Sequence, residues 1–346
     1  MIHCMKKEIS LQKKYLEGET VETIYFGGGT PSLLDPKQLE ELLKEIHSSY
    51  TVVSNAEITV ECNPDDINED VLKGYYTAGI NRISLGVQTF DDKMLKFLNR
   101  LHDQAQARNS IEYIEKSSIN NYSIDLIYAL PSENPDLFHS DLSIALDYQP
   151  PHISAYCLTI EEKTAFGKWV ERGKLLPVDE DLSADQYEHL INSLEGNGYE
   201  HYEISNFAKP GYESSHNKAY WEHHKFLGIG PGAHSFNGTS RQHNIKNNSG
   251  YIKSIEQDNI PFEKIVMTKN DLINEYILTS LRTSLGCDLN FLRENHGVEL
   301  ILSARKILDL YSTHGFLEFN NSTVKLLRKG KFLADKIASD LFFPTA

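Results

Sequence analysis

The sequence is poor in cysteine and tryptophan, with four and two residues among 346. Cys4, Cys62, Cys157 and Cys287 are spread along the chain without close pairing. This spacing matches neither a disulfide framework nor the usual metal-binding motifs. We therefore expect at least three of the four cysteines to be buried thiols in the core.

The sequence also lacks a long apolar run and an excess of positive charge. Without a run of about eighteen apolar residues, and without an apolar segment after the basic N-terminal residues, neither a membrane-spanning helix nor a signal peptide is predicted. We expect a cytoplasmic protein. The formal net charge is −15, which disfavours nucleic acid and anionic lipid as main partners, because both bind clustered Lys and Arg.

Strand and helix patterns alternate through the first half of the chain. The β-rich segments are ETIYF, EITVEC, RISLGVQ, YSIDLIYAL and HISAYCLTI. Helical patterns separate them, and this alternation indicates parallel strands in an α/β sheet or barrel. A first helix, with Ile2, Met5, Ile9 and Leu16 near helical period against a charged face, has no capping residue and no strand before it. It is typical of a βα unit without its strand.

One face of the predicted sheet is polar. In the third strand Ile83, Leu85 and Val87 alternate with Ser84, Gly86 and Gln88. An ordinary (β/α)8 barrel is filled with branched apolar side chains, so a polar inner face predicts a wet cavity that holds a polar ligand. We predict an α/β fold with a partial (β/α)6 TIM-type barrel whose first strand is missing. The alternative is a flat sheet buried on both faces, but its strands would normally be continuous apolar runs.

The remainder of the chain predicts two further domains. The proposed division is a barrel over residues 1–198, a His-rich and aromatic-rich connecting region over 199–266 and a C-terminal domain over 267–346. In the last domain three helical patterns precede a hairpin around Asn320 and Asn321 and a final helix over 330–342, as in a winged-helix fold. The presumed recognition helix has balanced charges, so we expect it to contact protein or to act as a lid rather than to bind nucleic acid.

Polar residues lie at the carboxyl ends of the predicted strands. Three glycines, Gly27 to Gly29, end the first strand, Glu61 ends the second, Gln88 ends the third, and Asp125 lies in the fourth. Because α/β proteins keep their sites at this edge of the sheet, these residues are predicted to form the binding site.

Six ordered motifs resemble a known family over essentially the whole chain. They are YFGGGTPSLL, ECNPDD, RISLGVQTFDDKMLKFLNRLHD, SIDLIYALP, YEISNFAKPGYESSHNKAYW and LGIGPGAHSF. The sequence resembles radical S-adenosylmethionine proteins of the oxygen-independent coproporphyrinogen III oxidase group. The segment HNKAYW, with Trp221, is similar to the haem chaperone branch and not to the oxidase branch.

The resemblance implies binding residues for S-adenosylmethionine. Gly28, Gly29 and Thr30 correspond to the motif that binds the amino group of the methionine moiety, and Glu61 to the carboxylate at the ribose hydroxyls. Gln88, Arg100 and Asp125 correspond to further nucleoside and carboxylate contacts. Three alternatives stay open, one for each of these residues: Gln88 caps its strand, Arg100 is a cation at a helix end, and Asp125 is a satisfied buried acid.

The chain departs from this family at the [4Fe-4S] cluster. Members carry Cys-x3-Cys-x2-Cys on their first strand, and this sequence has no such motif. We expect either truncation of a longer protein, which we favour, or a cluster-free paralogue. Decarboxylation of coproporphyrinogen III through a radical requires the cluster, so we do not expect the chain as given to be an active enzyme. A cluster-free interaction module is the further alternative.

The stretch from Tyr199 to His243 holds six of the fourteen histidines, together with several aromatic residues. Haem or porphyrin is the favoured ligand, since aromatic rings cover a macrocycle and an imidazole can bind iron. We predict His216 as the haem ligand, flanked by Tyr220 and Trp221, with His234 as the second candidate. The alternatives are a zinc site, for which no usual ligand spacing is present, and a connecting region in which His216 only braces the structure.

The expected partners follow from these assignments. They are haem or porphyrin and an unidentified haem-accepting protein. Nucleic acid is not expected as a partner, and membrane contact is expected only through the acceptor.

Overall fold

The computed structural model describes residues 1–344. The chain divides into two compact units. The first contains Met1–Ile24, Lys37–Glu57 and Ser214–Ala346, and the second contains Tyr25–Pro36 and Ile58–Glu213. The division into three domains at residues 198 and 266 stays a prediction.

All five strands predicted for the first half of the chain are present. They are β1 (Val21–Phe26), β2 (Val52–Cys62), β3 (Arg82–Gln88), β4 (Asn121–Tyr128) and β5 (His152–Cys157). The helices of this half are α1 (Ile2–Leu11), α2 (Pro36–Ser49), α3 (Glu69–Ala78), α4 (Asp92–Phe97), α5 (Gln104–Lys116) and α6 (Leu137–Asp147), with short 3-10 helices at Pro31–Leu33 and Pro64–Asp66. The predicted α/β alternation is confirmed.

Short strands follow in the second half. The elements are α7 (Ala165–Glu171), α8 (Glu180–Gly196), β6 (Glu200–Glu203), β7 (Asn206–Ala208), α9 (Ser215–Trp221), β8 (His234–Phe236), β9 (Ser240–Asn244), α10 (Asn248–Glu256) and β10 (Phe262–Val266). The C-terminal elements are α11 (Lys269–Leu281), β11 (Cys287–Asp288), α12 (Leu289–His296), α13 (Leu300–Thr313), β12 (Leu317–Phe319), β13 (Thr323–Leu326), α14 (Arg328–Lys331) and α15 (Ala334–Asp340).

The main sheet has seven strands in the order β1-β2-β3-β4-β5-β7-β6, and it forms a half-barrel of the TIM type. Strands β2 to β5 pair in parallel, whereas β7 is antiparallel to both β5 and β6. Sequence analysis assigned β6 and β7 to the connecting region. These strands have four and three residues, which is too short to show a two-residue period.

The inner face of the sheet is polar, as predicted, with Ser84 and Ser123 buried and Glu61 and Asp125 partly buried. The strand register places Glu61 opposite Ser84 and Ser84 opposite Ser123. Apolar Ile83 and Leu85 point to the other face and are fully buried. A cavity that holds a ligand on the inner face stays a prediction.

In the first unit, α1 packs against α10 around Cys4, Tyr251 and Ile255. Glu8 of α1 is completely buried, although the sequence suggested a charged outer face. Its carboxylate accepts hydrogen bonds from the Gly230 amide at 2.8 Å and from the side chains of Asn244 and Tyr251. Burial raises the pKa of Glu8, and these donors offset part of the desolvation cost.

Residues 267–344 contain three helices followed by a hairpin, as predicted for a winged-helix arrangement. The sheet of this segment has the order β11-β13-β12. The single final helix predicted over 330–342 is wrong, because α14 and α15 are separate and Phe332 and Leu333 lie between them.

Within residues 1–344, no helix combines the length and the apolar character that a membrane span needs.

Candidate functional site

The first glycine of the triplet is explained by a side-chain pair. The Tyr25 hydroxyl donates a hydrogen bond to Glu61 Oε1 at 2.7 Å. This pair lies against Gly27, where a Cβ atom would be 2.5 Å from the Tyr25 ring and 2.7 Å from Glu61 Oε1. Gly27 is therefore required so that Tyr25 can reach Glu61.

The next two glycines leave backbone exposed beside the same carboxylate. Gly28 has a φ of +81° and donates its amide to Glu61 Oε2 at 3.2 Å. No atom lies within 4 Å of a Cβ built on Gly28 or Gly29. The bare loop can therefore approach a ligand closely, and Glu61 keeps further lone pairs for hydroxyl donors. The observed geometry fits the predicted nucleoside contact.

Gln88 ends β3 in an unusual backbone conformation. Its φ is +69°, and its side-chain amide lies over Gly86, where a Cβ would be 2.8 Å from Nε2. The turn after it is held by buried Asp141, which accepts hydrogen bonds from the Thr89 hydroxyl at 2.6 Å and the Phe90 amide at 2.8 Å. Such a strained non-glycine residue at a strand end is common in functional sites.

Arg100 contacts the turn that follows Glu61. Its Nη1 donates to Asn63 Oδ1 at 3.2 Å, and it lies three residues beyond the end of α4 at Phe97. Burial lowers the pKa of Arg100, while nearby Asp65 opposes this shift. The structure thus brings Arg100 and Glu61 to neighbouring parts of the same edge.

The Asp125 carboxylate is partly buried and lies among serine hydroxyls. Its carboxylate accepts hydrogen bonds from Ser84 at 2.7 Å and Ser123 at 3.0 Å. Burial raises the pKa of Asp125, and hydrogen bonds from these hydroxyls and from Ser154 oppose the shift. Its role toward S-adenosylmethionine stays a prediction.

Sequence reasoning placed Ser84 on the polar inner face but did not identify Tyr25, Ser84 or Ser123 as partners of these candidates. Tyr25, Ser84 and Ser123 touch Glu61 or Asp125 directly. The signal that could have found them is the two-residue strand period, which places Ser84 and Ser123 on the inner face.

The cysteines do not form a cluster site. Cys4, Cys62 and Cys287 are buried and Cys157 is partly buried, which confirms the prediction of at least three core thiols. Burial raises the pKa of Cys62 and raises that of Cys287 to about 12, so neither is a ready thiolate. In the part of the chain that the structure describes, no group of three or more His, Cys, Asp or Glu residues is arranged to hold a metal ion. These residues do not fit a [4Fe-4S] cluster.

His216 lies in the first turn of α9, in the first unit. Its Nδ1 is 2.9 Å from the Thr23 hydroxyl of β1. Glu57 of β2 accepts hydrogen bonds from the backbone amides of Ser215 at 3.0 Å and His216 at 2.9 Å. Sequence analysis did not identify Thr23 or Glu57 as partners of His216.

The two aromatic residues predicted to flank a macrocycle, Tyr220 and Trp221, contact each other edge to face, with ring centroids 5.2 Å apart. Tyr220, four residues after His216, shares its face of α9, whereas Trp221 is turned away by about 140°. The Trp221 ring instead lies 5.1 Å from the Arg282 guanidinium. Tyr220 is 44% exposed and is the aromatic residue available beside His216.

Two other histidines of this stretch differ in environment. His234 begins β8, is exposed, and stacks on His243 with ring centroids 5.6 Å apart. His223, which sequence reasoning did not single out, has a φ of +62°. Its buried Nε2 has no hydrogen-bond partner among residues 1–344. Burial lowers the pKa of His223 to about 4, so its imidazole is neutral at physiological pH.

The chain is similar to known proteins over most of its length. Residues 6–143 match the family described as "Radical SAM superfamily". The "Heme chaperone HemW" of Lactococcus lactis subsp. lactis (strain IL1403) is 40% identical over 270 residues, which cover 78% of this chain and 71% of that protein. The "Heme chaperone HemW" of Bacillus subtilis (strain 168) is 33% identical over 319 residues, covering 92% and 84% respectively.

A solved structure shows the same fold. It is described as "Coproporphyrinogen III oxidase (HemN) from Escherichia coli is a Radical SAM enzyme" and aligns with a TM-score of 0.84 at 22% identity, covering 98% of this chain and 82% of that one. The half-barrel and its glycine-bearing strand edge thus define an α/β protein of the radical S-adenosylmethionine class. Within that class, the chain belongs to the HemW haem chaperone family.

Proposed function

We propose that this chain binds haem and passes it to an acceptor protein. The proposal rests on membership of this family together with the conformation of the HNKAYW segment. This segment is helical in α9 and has His216 and Tyr220 on one face. The relatives are named haem chaperones. The acceptor is a protein of unidentified kind.

We place the haem ligand at His216. A neutral imidazole is the commonest proximal ligand of haem iron, and Tyr220 offers an exposed ring for the macrocycle. Because Nδ1 is engaged by Thr23, iron would be bound through Nε2. Exposed His234 is the second candidate.

We further propose that the strand edge of the second unit binds S-adenosylmethionine. Gly28, Gly29 and Thr30 would contact the methionine amino group, and Glu61 the ribose hydroxyls. Gln88, Arg100 and Asp125 would complete the contacts. Support comes from the open space at Gly28 and Gly29 and from the adjacent Glu61 carboxylate. No catalytic step is assigned, because the described residues do not fit the cluster.

Haem titration tests the ligand. The purified chain, His216→Ala and His234→Ala are titrated with ferric haem while the Soret band is followed. His216→Ala should abolish or shift the Soret change and leave the circular dichroism spectrum intact. His224→Ala is the matched control, since this exposed imidazole lies only eight residues further along the chain.

The outcomes separate the candidates. If only His234→Ala loses the Soret change, the haem ligand is His234 and not His216. Haem uptake by both variants that equals the parent would contradict the proposed site.

A further inference from the structure

The first turn of α9 is fixed by one carboxylate. Besides the two backbone amides, the Glu57 side chain accepts a hydrogen bond from the Ser214 hydroxyl at 3.2 Å. Ser214 is the N-cap of α9 and itself accepts the Asn217 amide. A partly buried carboxylate with three donors holds this backbone more firmly than a neutral cap does.

The side chain of His216 is fixed by a different strand. Thr23 lies on β1, and its hydroxyl contacts His216 Nδ1 at 2.9 Å. Strands β1 and β2 are neighbours in the sheet. The backbone of His216 is thus held from β2 by Glu57, and its ring is held from β1 by Thr23. Two contacts on different strands restrict both the position and the rotation of the imidazole.

We propose that Thr23 and Glu57 are positioning residues for haem binding by His216: Thr23 holds the imidazole ring through Nδ1 and Glu57 sets the place of its helix turn. The inference rests on the proposed function, which makes His216 the ligand. It adds two residues that act through His216 and do not touch haem.

The chemistry of the imidazole gives Thr23 its role. Nε2 can donate a lone pair to iron only when Nδ1 carries the proton. In that tautomer the Nδ1–H group donates to the Thr23 hydroxyl oxygen. An acceptor at this position orients the ring and raises the basicity of the ligand nitrogen, as hydrogen-bond partners of metal-bound histidines generally do. A more basic ligand favours ferric over ferrous haem.

The experiment compares variants at the two positions. Thr23→Val keeps the shape of the side chain and removes the hydroxyl, whereas Thr23→Ser keeps the hydroxyl. Glu57→Gln keeps an acceptor oxygen and removes the charge. Glu22→Gln is the matched control, since Glu22 is an exposed carboxylate on β1 and adjacent to Thr23 in the sequence.

Three quantities are measured for each variant. The hydrogen bond at His216 Nδ1 is read in the haem-free protein from ring ¹⁵N chemical shifts, assigned by comparison with His216→Ala. Haem affinity is read from the Soret titration, and the midpoint potential of bound haem from redox titration.

We expect Thr23→Val to lose the hydrogen bond at Nδ1 and so to change the ring ¹⁵N shifts of His216, to bind haem about tenfold more weakly and to have a more positive midpoint potential. Thr23→Ser should restore all three. Glu57→Gln should weaken haem binding while the ring ¹⁵N shifts stay as in the parent, and Glu22→Gln should match the parent.

The two proposals fail in different ways. If the parent binds haem through His216 but Thr23→Val keeps its ring ¹⁵N shifts, affinity and potential, the inference is overturned and the proposed function stands. If the parent takes up no haem, or takes it up without His216, the proposed ligand fails and the inference fails with it.

Discussion

The Glu61 carboxylate contacts two groups that lie far from it in the sequence. It accepts the Tyr25 hydroxyl and the Gly28 amide, so one carboxylate connects β2 to the loop that follows β1. Replacing it would remove the two contacts that shape the loop together with the proposed ligand contact. The consequence can be measured directly.

We predict that S-adenosylmethionine binds this chain weakly and that binding depends on Glu61 and Asp125. Loss of a charge-assisted hydrogen bond costs about 1.5–3 kcal/mol, so Glu61→Ala should weaken binding at least tenfold. Isothermal titration calorimetry measures this change. Glu69→Ala, which removes an exposed carboxylate, is the control. Tight binding that is unchanged in Glu61→Ala would contradict the role of Glu61 in binding S-adenosylmethionine.

The burial and separation of the cysteines support a second prediction. Reconstituted anaerobically with iron and sulfide, residues 1–346 should hold no stoichiometric [4Fe-4S] cluster, because Cys4, Cys62 and Cys287 are buried apart from one another. Iron and sulfide analysis with electron paramagnetic resonance checks this. About four irons and four sulfides per chain, with the matching signal on reduction, would disprove it.

Helix α5 shows which local interactions stabilise an element. Asp103 accepts the Gln106 amide at 2.9 Å, and the Gln106 side chain accepts the Asp103 amide at 3.0 Å, which makes a capping box. On the same helix, exposed Glu112 and Lys116 form an ion pair at 3.3 Å. The N-cap should contribute more to stability than the ion pair. The cap satisfies a backbone group that has no helical partner, whereas the ion pair is screened by water.

We predict that Asp103→Ala lowers the free energy of unfolding by about 1 kcal/mol and that Glu112→Ala changes it by less than about 0.5 kcal/mol. Urea denaturation followed by circular dichroism measures both values. Equal losses in the two variants would show that the cap contributes no more than the surface pair.

Most long elements were predictable, whereas several short ones, such as β6 and β7, were not. Helix α3, with Asn68 as its N-cap and Gly79 in the left-handed region as its C-cap, follows from local rules. The break between α14 and α15 does not. A Cβ on Gly330, within α14, would be 1.9 Å from the carbonyl oxygen of Phe316, so a contact distant in the sequence requires glycine just before the break.

Across the whole molecule, the pH dependence of stability should include a contribution from Asp141. Burial raises the pKa of this carboxyl from 3.8 to about 6. Because the folded pKa lies above the unfolded value, the stabilising contribution is fully present below pH 3.8 and is lost as the pH rises to about 6. Above that range the charged side chain lowers the free energy of unfolding.

We therefore predict that Asp141→Asn gains stability relative to the parent as the pH rises from 4 to 7. Its amide oxygen still accepts the Phe90 amide, and it does not ionise. A shift of about two pKa units corresponds to up to about 3 kcal/mol between these pH values. Urea denaturation at several pH values measures the difference, and Asp147→Asn, an exposed change at the end of α6, is the control. A difference that is constant with pH would contradict the prediction.

The sequence by itself determined the α/β alternation, the polar inner face and the residues at the strand ends, because two-residue and 3.6-residue periods and glycine positions are local properties. It also determined the family, since the ordered motifs lie in the chain itself. Only the tertiary structure decided that β7 pairs with β5, that Glu8 is buried, and that Thr23 and Glu57 hold His216. Each of these depends on groups far apart in the sequence, and burial and hydrogen bonding between such groups leave no periodic pattern along the chain.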